Sequence, residues 1–385
     1  MTFGTAEEDA ERRDLTLNAL FYNINSGQVE DLTGKGLEDL ANLTLRTPME
    51  PTRTFSDDPL RVFRVLRFFA KFKGATIAPE TLQAISDPAV QEALDPKNLV
   101  EVEVIDPKTK EKKIELQRKI SEERILVEWQ KLHKGPQAAQ ALRLAHDSGL
   151  WNKVFMAGAK EFESNVPVEK PVLDENGQPV IDPLTGQPKM ETKHEKKKRN
   201  LNEFHPFTMD QNNAWHVDNV FEHTMKVVEE YDKILAADGA DQDERARALA
   251  AAFLHDIGKL DPTVIGQKEV EGIMRNTYHG HEDISALAAE AILRGIKSSN
   301  DEIEYIKTIV QNHMIPHNKM TDKSLNKMIR NLGKNMVRRI IQHAKADSMS
   351  KPGGDNAHYD ALLERAQNAQ VAEPQDVKPV IGGGE

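Results

Sequence analysis

His255 and Asp256 stand side by side in Phe253-Leu254-His255-Asp256-Ile257-Gly258-Lys259-Leu260, an apolar stretch that ends in a glycine break. Adjacent residues on a helix point about 100° apart, so the two side chains do not pack together as ordinary core. They can share one cation if other ligands close in from neighbouring helices. The surrounding sequence supplies candidates, because eight of the thirteen histidines fall between His205 and His317. With no cysteine in 385 residues, disulfides and thiolate sites are excluded, and a metal must be held by nitrogen and oxygen donors.

Candidate co-ligands arrive one per successive helical segment: His223 in Phe221-Glu222-His223-Thr224, His281 in Tyr278-His279-Gly280-His281-Glu282, His313 in Gln311-Asn312-His313-Met314, and Asp347 in His343-Ala344-Lys345-Ala346-Asp347. His279 and His317 are secondary candidates. Mixed imidazole and carboxylate donors suit Mn²⁺, Ni²⁺, Fe²⁺, Co²⁺ or Mg²⁺. Such a cation acidifies a bound water and polarises a phosphoryl oxygen. Lys259, one turn beyond His255, can steady a phosphate as a point charge or complement a helix dipole. The pattern resembles the HD superfamily of metal-dependent phosphohydrolases, whose His, His-Asp and late Asp signature falls on His223, His255, Asp256 and Asp347. A binuclear version adds His281 and His313. The catalytic set expected from this resemblance is His255, Asp256 and Lys259.

The elements that must position these residues are helical. Apolar periodicity predicts helices over 220–235, 244–256, 283–296, 303–312, 324–332, 337–349 and, after Lys351-Pro352-Gly353-Gly354, 360–369. Upstream, residues 164–203 are dense in turn and breaker residues and end in the basic run Lys196-Lys197-Lys198-Arg199, which predicts a solvated linker with room for a hairpin. Residues 100–116 alternate on both sides of a turn at 106–109 and predict an exposed hairpin. A helix opens at Ser121, and another spans 136–148 and stops at Gly149. Near the N-terminus, a hairpin turns at Asn25-Ser26-Gly27 and returns over Val29–Leu32. A lone hairpin is unstable in water, so it is expected to need more sheet, and its edge is where a partner would dock.

A second chemical pattern lies in Asp57-Asp58-Pro59-Leu60-Arg61-Val62-Phe63-Arg64-Val65-Leu66-Arg67-Phe68-Phe69-Ala70-Lys71. Ser56 or Asp57 is the expected N-cap, with Pro59 in the first turn. Arg61, Arg64 and Arg67 recur every three residues along one face beside an apolar stripe. Asp58 and Arg61 can offer an acceptor and a donor fork to the edge of a nucleobase.

Together, Arg12-Arg13-Asp14-Leu15-Thr16-Leu17-Asn18-Ala19, then Asp31-Leu32-Thr33-Gly34-Lys35-Gly36-Leu37-Glu38-Asp39-Leu40, Leu45-Arg46 and Asp57-Asp58-Pro59-Leu60-Arg61 resemble class II tRNA nucleotidyltransferases, the family of CCA-adding enzymes and bacterial poly(A) polymerases. Ile120-Ser121-Glu122-Glu123-Arg124-Ile125-Leu126-Val127-Glu128 resembles a further block of that family. Gln211-Asn212-Asn213-Ala214-Trp215-His216-Val217-Asp218-Asn219 resembles the entry to its HD domain. The resemblance implies contacts from Arg13 and Asp14 to ribose and phosphates, base reading by Asp58 and Arg61 with Arg64 beside them, and RNA contacts from Arg67, Lys71 and Arg124. It implies tRNA, ATP and CTP as partners. The family has Glu-Asp where this chain has Asp57-Asp58. In the family a Gly-Gly loop and an Asp-x-Asp pair that holds catalytic Mg²⁺ precede the Arg-Arg-Asp block, and neither stands upstream of Arg12-Arg13-Asp14 in this sequence. Nucleotide transfer is therefore expected to need Mg²⁺ and a head on a separate chain.

The fold expected is mainly α: a partial nucleotidyltransferase palm (1–50), a helical nucleotide-selecting and RNA-binding neck (51–163), a linker or insertion (164–203), an all-α HD domain (204–352), and a C-terminal helix with a flexible tail (353–385). The net charge of −11 argues against broad affinity for nucleic acid and leaves room for a local basic face. No apolar run approaches the roughly 18 residues of a membrane span, and the N-terminus has no signal-like apolar region, so a cytoplasmic protein is expected. Two other functions fit the same residues: a stand-alone phosphohydrolase acting on 2′,3′-cyclic phosphate or phosphomonoester ends, and a non-catalytic RNA-binding remnant.

Overall fold

A computed structural model of the chain describes residues 4–105, 112–175, 177–183, 187–213, 218–351, 353–354 and 356–371. The fold is mainly α, as the periodicity predicts. Helix α1 (Ala6–Glu11) starts at a capping box in which Thr5 accepts from the Glu8 N–H and the Glu8 side chain returns to Thr5. Strands β1 (Leu20–Asn23) and β2 (Gln28–Asp31) pair antiparallel, from Leu20 opposite Asp31 to Asn23 opposite Gln28. This hairpin forms a two-stranded sheet of its own, with Tyr22 and Val29 exposed. Helix α2 (Gly36–Asn42) follows, and β3 (Thr44–Leu45) pairs in parallel with the later β4 (Thr76–Ile77).

Helices α3 (Pro51–Asp57) and α4 (Leu60–Lys71) meet at Asp58 and Pro59. The expected cap is displaced here. Ser56 and Asp57 belong to the end of α3, Pro59 is the N-cap of α4, and Asp58 Oδ1 accepts the Leu60 N–H at 3.3 Å. Pro88 in the later α6 shows the same economy, since proline removes a donor that the first helical turn leaves unpaired. Leu60, Val62, Phe63, Val65, Leu66 and Phe68 of α4 are buried, leaving its three arginines half-buried along one side.

Helices α5 (Pro79–Ile85) and α6 (Pro88–Leu94) lead to a hairpin of β5 (Leu99–Ile105) and β6 (Lys112–Arg118), in register from Leu99 opposite Arg118 to Ile105 opposite Lys112. The turn expected at 106–109 lies outside the described residues. Helix α7 (Glu122–His133) is capped by Ser121, whose Oγ accepts from the Arg124 N–H. Helix α8 (Ala138–Asp147) ends before Gly149, whose φ of 80° lies in the left-handed region that glycine tolerates.

Where breaker residues predict a linker, the chain forms a long antiparallel hairpin of β7 (Phe162–Pro171) and β8 (Met190–Arg199). Further bridges join Leu173 to Pro179 and Ile181 to Pro188. The turn signals that include Asn176, Thr185 and Gly186 fall partly or wholly outside the described residues. The prolines stand at positions where this isolated pair needs no second ladder of donors.

The C-terminal half contains α9 (Val220–Ala237), α10 (Gln242–Leu254), α11 (His281–Gly295), α12 (Asn300–Asn312), α13 (Asp322–Leu332), α14 (Lys334–Met349) and α15 (Ala357–Asn368). Apolar periodicity gives no sign of one further element. Strands β9 (Ile265–Val270) and β10 (Ile273–Tyr278) form a hairpin around Glu271 and Gly272, whose φ values of 53° and 78° suit a two-residue turn. Trp215 and His216, and the tail beyond residue 371, lie outside the described residues.

One apolar core runs through both halves. Its aromatic centre joins Trp129 of α7, Trp151 and Phe155 of a π-helical turn (Trp151–Met156), and Phe253 of α10. The Trp151 and Phe253 rings meet edge to face at 4.7 Å, and Trp129 and Phe155 lie 4.6 Å apart. Removing the Phe253 ring from such packing costs about 3–5 kcal/mol. The helix that presents His255 and Asp256 is thus held by the preceding half of the chain.

Candidate metal centre

Helix α10 is built to be buried. Asp241 caps it through the N–H groups of Asp243 and Glu244, and Ala246, Ala248, Leu249, Ala250, Ala251, Ala252, Phe253 and Leu254 are all buried. From Ala248 to Leu254 the helix is apolar on every side, so that part must lie inside the molecule. Its C-terminus therefore carries His255 and Asp256 into the interior, where both are almost completely buried. The chain then turns through Ile257–Leu260 in a 3₁₀ helix. Gly258 is required here, because a Cβ would sit 2.2 Å from the His281 carbonyl oxygen and 2.5 Å from the Ser285 nitrogen.

Around Asp256 the side chains of four helices converge. His223 comes from α9, His281 from the first turn of α11, His313 from the end of α12 and Asp347 from α14. Asp256 Oδ2 lies 3.3 Å from His223 Nε2 and 3.2 Å from His255 Nε2, while Oδ1 lies 3.2 Å from His281 Nε2 and 3.8 Å from His313 Nε2. One carboxylate thus faces a pair of imidazoles with each oxygen. The groups His223–His255–Asp256 and Asp256–His281–His313 each gather donor atoms within 4.8 Å of one another. Asp347 Oδ1 lies 3.0 Å from His223 Nε2, on the first side.

Backbone carbonyls orient three of these rings in the same way. Nδ1 of His255, His281 and His313 lies 2.7, 2.7 and 2.6 Å from the carbonyl oxygens of Ala252, Tyr278 and Val310, each three residues earlier. Nδ1 therefore carries the proton and donates it, which leaves the Nε2 lone pair to point inward. Two of the acceptors belong to the last turns of α10 and α12, where carbonyls lack helical partners and the helix dipole favours positive charge. His281 Nε2 and His313 Nε2 face each other at 3.3 Å. A cluster of inward lone pairs and carboxylate oxygens, with the ring protons turned outward, fits a divalent cation.

The electrostatics agree. Burial opposes ionisation of Asp256, yet the electrostatic interaction with His255 and Lys259 holds its carboxyl well below the usual range. Asp347 is held low in the same way against burial, by Lys351 and by the adjacent His223 and His317 rings. Burial, reinforced by the neighbouring imidazoles, pushes the His313 imidazole well below its ordinary value. Lys259 is buried with its Nζ 2.7 Å from Asp256 Oδ2 and 3.1 Å from Gln211 Oε1. The cleft beside the cluster has a volume of about 650 Å³ and is lined by Lys259, Tyr278, His279, His317 and Lys351 among others.

Four features lie outside the His, His-Asp and late-Asp motif, the first of them the secondary candidate His317. His317 Nε2 lies 2.8 Å from Asp347 Oδ2, and its Nδ1 lies 2.7 Å from the Tyr359 hydroxyl of α15. Lys351 Nζ lies 3.0 Å from Asp347 Oδ2. His343, fully buried, packs edge-on against His255 with ring centroids 4.9 Å apart. Helical spacing signals the last two, because His343 and Lys351 stand one turn before and after Asp347. Gln211 is the fourth, and no spacing in the sequence marks it as the partner of Lys259. His279 is exposed at the mouth of the cleft, outside the close cluster.

The residues expected to face nucleotide and RNA gather at the junction of α1, α4 and α7, and most are engaged with one another. Asp14 is buried, with Oδ2 2.6 Å from Arg64 Nε and Oδ1 accepting from Asn18 at 3.1 Å. Arg61 donates to the carbonyl of Thr54 at 3.3 Å and to that of Arg12. Asp58 Oδ2 lies 3.0 Å from Arg124. Asp58 and Arg61 therefore do not act as a mutual pair; each is held by another element. Arg67 pairs with buried Glu128 and stacks over Phe68 at 3.9 Å. Arg13 pairs with Asp9 at 2.7 Å on the surface, and Lys71 is exposed near the Phe72 ring.

Three family models match the sequence: the poly(A) polymerase head domain over residues 2–46, the probable RNA- and SrmB-binding site of polymerase A over 105–162, and the HD domain over 216–351. The mitochondrial CCA tRNA nucleotidyltransferase of Saccharomyces cerevisiae is 44% identical over 153 residues, covering 40% of this chain and 24% of that protein. Poly(A) polymerase I of Escherichia coli O6:H1 is 42% identical over 83 residues, covering 22% of this chain and 17% of that protein. The matches thus span about a quarter or less of each relative's length. A solved structure of a tRNA-processing enzyme (apo form 2) superposes with a TM-score of 0.52 at 12% identity, covering 95% of this chain and 73% of that one. At that identity the likeness concerns the fold alone. No described helix is long and apolar enough to cross a membrane.

Proposed function

We propose, for a chain that belongs to the family of CCA-adding tRNA nucleotidyltransferases and poly(A) polymerases with an HD domain, that its buried His/Asp cluster is a metal-dependent phosphohydrolase centre acting on phosphate at RNA ends. The observation that carries this reading is the Asp256 carboxylate, one oxygen toward His223 and His255 and the other toward His281 and His313. His223, His255, Asp256 and Asp347 would hold one divalent cation, and Asp256, His281 and His313 a second. A cation held there supplies an acidified water and polarises a phosphoryl oxygen.

The chain's own residues do the rest. Lys259 and Lys351 stand on two walls of the cleft and bring positive charge to a bound phosphate. Ala252, Tyr278 and Val310 fix the ring tautomers, and burial excludes bulk water from all but the cleft side. His317, held between Asp347 and Tyr359, orients the Asp347 carboxylate.

The neck supports nucleotide selection. Asp58 and Arg61 lie at one helix start, beside the Asp14–Arg64 pair, where an incoming CTP or ATP would compete for Arg124 and Arg61. Transfer of a nucleotide to tRNA would need the Mg²⁺-binding Asp-x-Asp strands of a head, on a separate chain or elsewhere in the polypeptide, and the free edges of the β1–β2 hairpin suit such a partner. Titrating the chelator-treated chain with Mn²⁺ by calorimetry tests the metal reading. Two equivalents are expected, falling to one in His313→Ala; no Mn²⁺ uptake would overturn it.

A further inference from the structure

The inserted hairpin carries a charge that its own partners do not use. On β8, Lys193 pairs with Glu191 at 2.8 Å, Glu195 pairs with Lys170, and Arg199 pairs with Asp261. Lys196, Lys197 and Lys198 are exposed, with no carboxylate within ion-pair distance among the described residues. In a chain of net charge −11, such a run is a local exception.

Side chains alternate along a strand, so His194, Lys196 and Lys198 share one face of β8. Their register partners on β7 are Pro167, Asn165 and Glu163. Pro167, Asn165 and His194 line a groove of about 600 Å³ between the hairpin and the start of α11, with Thr263, His279 and Lys307 on its other side. His279 also lines the cleft at the His/Asp cluster, two residues before His281. The groove and the cleft therefore meet at one exposed imidazole.

We propose that this groove is the track of a single-stranded RNA whose terminal phosphate enters the His/Asp cleft. The proposal rests on the phosphohydrolase reading and names its substrate as a strand rather than a free nucleotide. Lys196 and Lys198 do not line the groove but continue the His194 face of β8 beyond it, where they meet the phosphodiester backbone of the strand as it leaves, and Lys307, although paired with Glu290 at 2.6 Å, adds charge on the opposite wall. The His194 and His279 rings offer stacking faces to unpaired bases. Asp283 also lines the groove, but it accepts a hydrogen bond from Gln311 at 3.1 Å on the α12 side.

The test uses the whole chain in EDTA and a short, fluorescein-labelled single-stranded oligoribonucleotide read by anisotropy over a salt series. Lys196→Glu with Lys198→Glu is expected to weaken binding about tenfold or more and to lower the salt slope by about 0.7 for each phosphate that is no longer neutralised. The charge-matched control on α13, Lys323→Glu with Lys327→Glu, is expected to stay within about twofold. Equal affinity and slope for the hairpin variant and the original chain would overturn the proposal. So would competition by polyglutamate as strong as by polyuridylate, which would make the groove a site for acidic peptides. Because binding is read without metal, a chain that binds RNA through the hairpin but turns over no phosphoester would contradict the hydrolytic reading alone.

Discussion

Arg199 and Asp261 form a bidentate ion pair, with Nη1 3.0 Å from Oδ2 and Nη2 3.1 Å from Oδ1, and both side chains are buried. Arg199 closes β8, and Asp261 follows the 3₁₀ turn that carries Gly258 and Lys259. The pair fastens the β7–β8 hairpin to the segment that presents the candidate centre. Asp261 Oδ1 also accepts from the N–H and hydroxyl of Thr263, each at 2.8 Å, so both oxygens are engaged.

Breaking a buried pair leaves one charge uncompensated, which typically costs about 3–5 kcal/mol. Arg199→Met is expected to lose that much in urea unfolding, and Arg199→Met with Asp261→Leu to recover a large part of it. Equal loss in the single and double variants would mean that the pair's hydrogen-bond geometry, and not the stranded carboxylate, carries the effect.

Gly258→Ala is expected to be severe for a small change. The new methyl meets backbone of α11, at His281 O and Ser285 N, and backbone cannot swing aside as a side chain can. Overpacking of this kind costs about 1–3 kcal/mol, and here the displaced element carries His281. The variant should therefore lose Mn²⁺ affinity on the His281–His313 side before it loses its helical circular dichroism. Unchanged Mn²⁺ binding in Gly258→Ala would show that α11 shifts without disturbing the cluster.

His133 predicts a pH dependence away from the centre. Its Nδ1 lies 2.9 Å from the Trp129 carbonyl, and burial pushes its pKa from 6.5 down to about 4. The unfolded chain takes up a proton as pH falls below 6.5, while the folded chain resists until about 4. This group makes no difference above that window and destabilises the fold progressively within it, by about 3 kcal/mol in total. His133→Gln should flatten the fall in melting temperature between pH 6.5 and 4 relative to the original chain. An unchanged slope would place the loss in other groups.

Much of this molecule is legible in its residues because the helices are long and strongly periodic. The predicted helix starting at Ser121 and the stop at Gly149 match the cap and the left-handed glycine seen at those positions. The convergence of His223, Asp256, His281, His313 and Asp347 follows from candidate ligands spread singly over α9, α10, α11, α12 and α14. What escapes depends on tertiary contact. The β9–β10 hairpin is short and polar, with a Glu-Gly turn that local pattern does not distinguish from a loop. Residues 164–203 read as a linker with room for a hairpin because prolines and turn residues dominate, yet β7 and β8 pair over ten residues each across a long sequence separation. Arg199 reads as one more cation in a solvated run; Glu203, four residues on, and the buried Asp261, 62 residues later, together account for its burial. Asp58 and Arg61 share a helix start, but Arg124, brought in by α7, decides where the Asp58 carboxylate points.

The most direct test of a phosphohydrolase centre at Asp256 is turnover of a 2′,3′-cyclic nucleotide by the whole chain with Mn²⁺, Ni²⁺ or Mg²⁺, compared with Asp256→Asn. This substitution keeps the size of the side chain and removes the charge that both groups of histidines share. Metal-dependent hydrolysis is expected in the original chain, with a loss of about two orders of magnitude or more in the variant, as for removal of a key electrostatic group. Equal rates in the two proteins would contradict a hydrolytic role for the cluster.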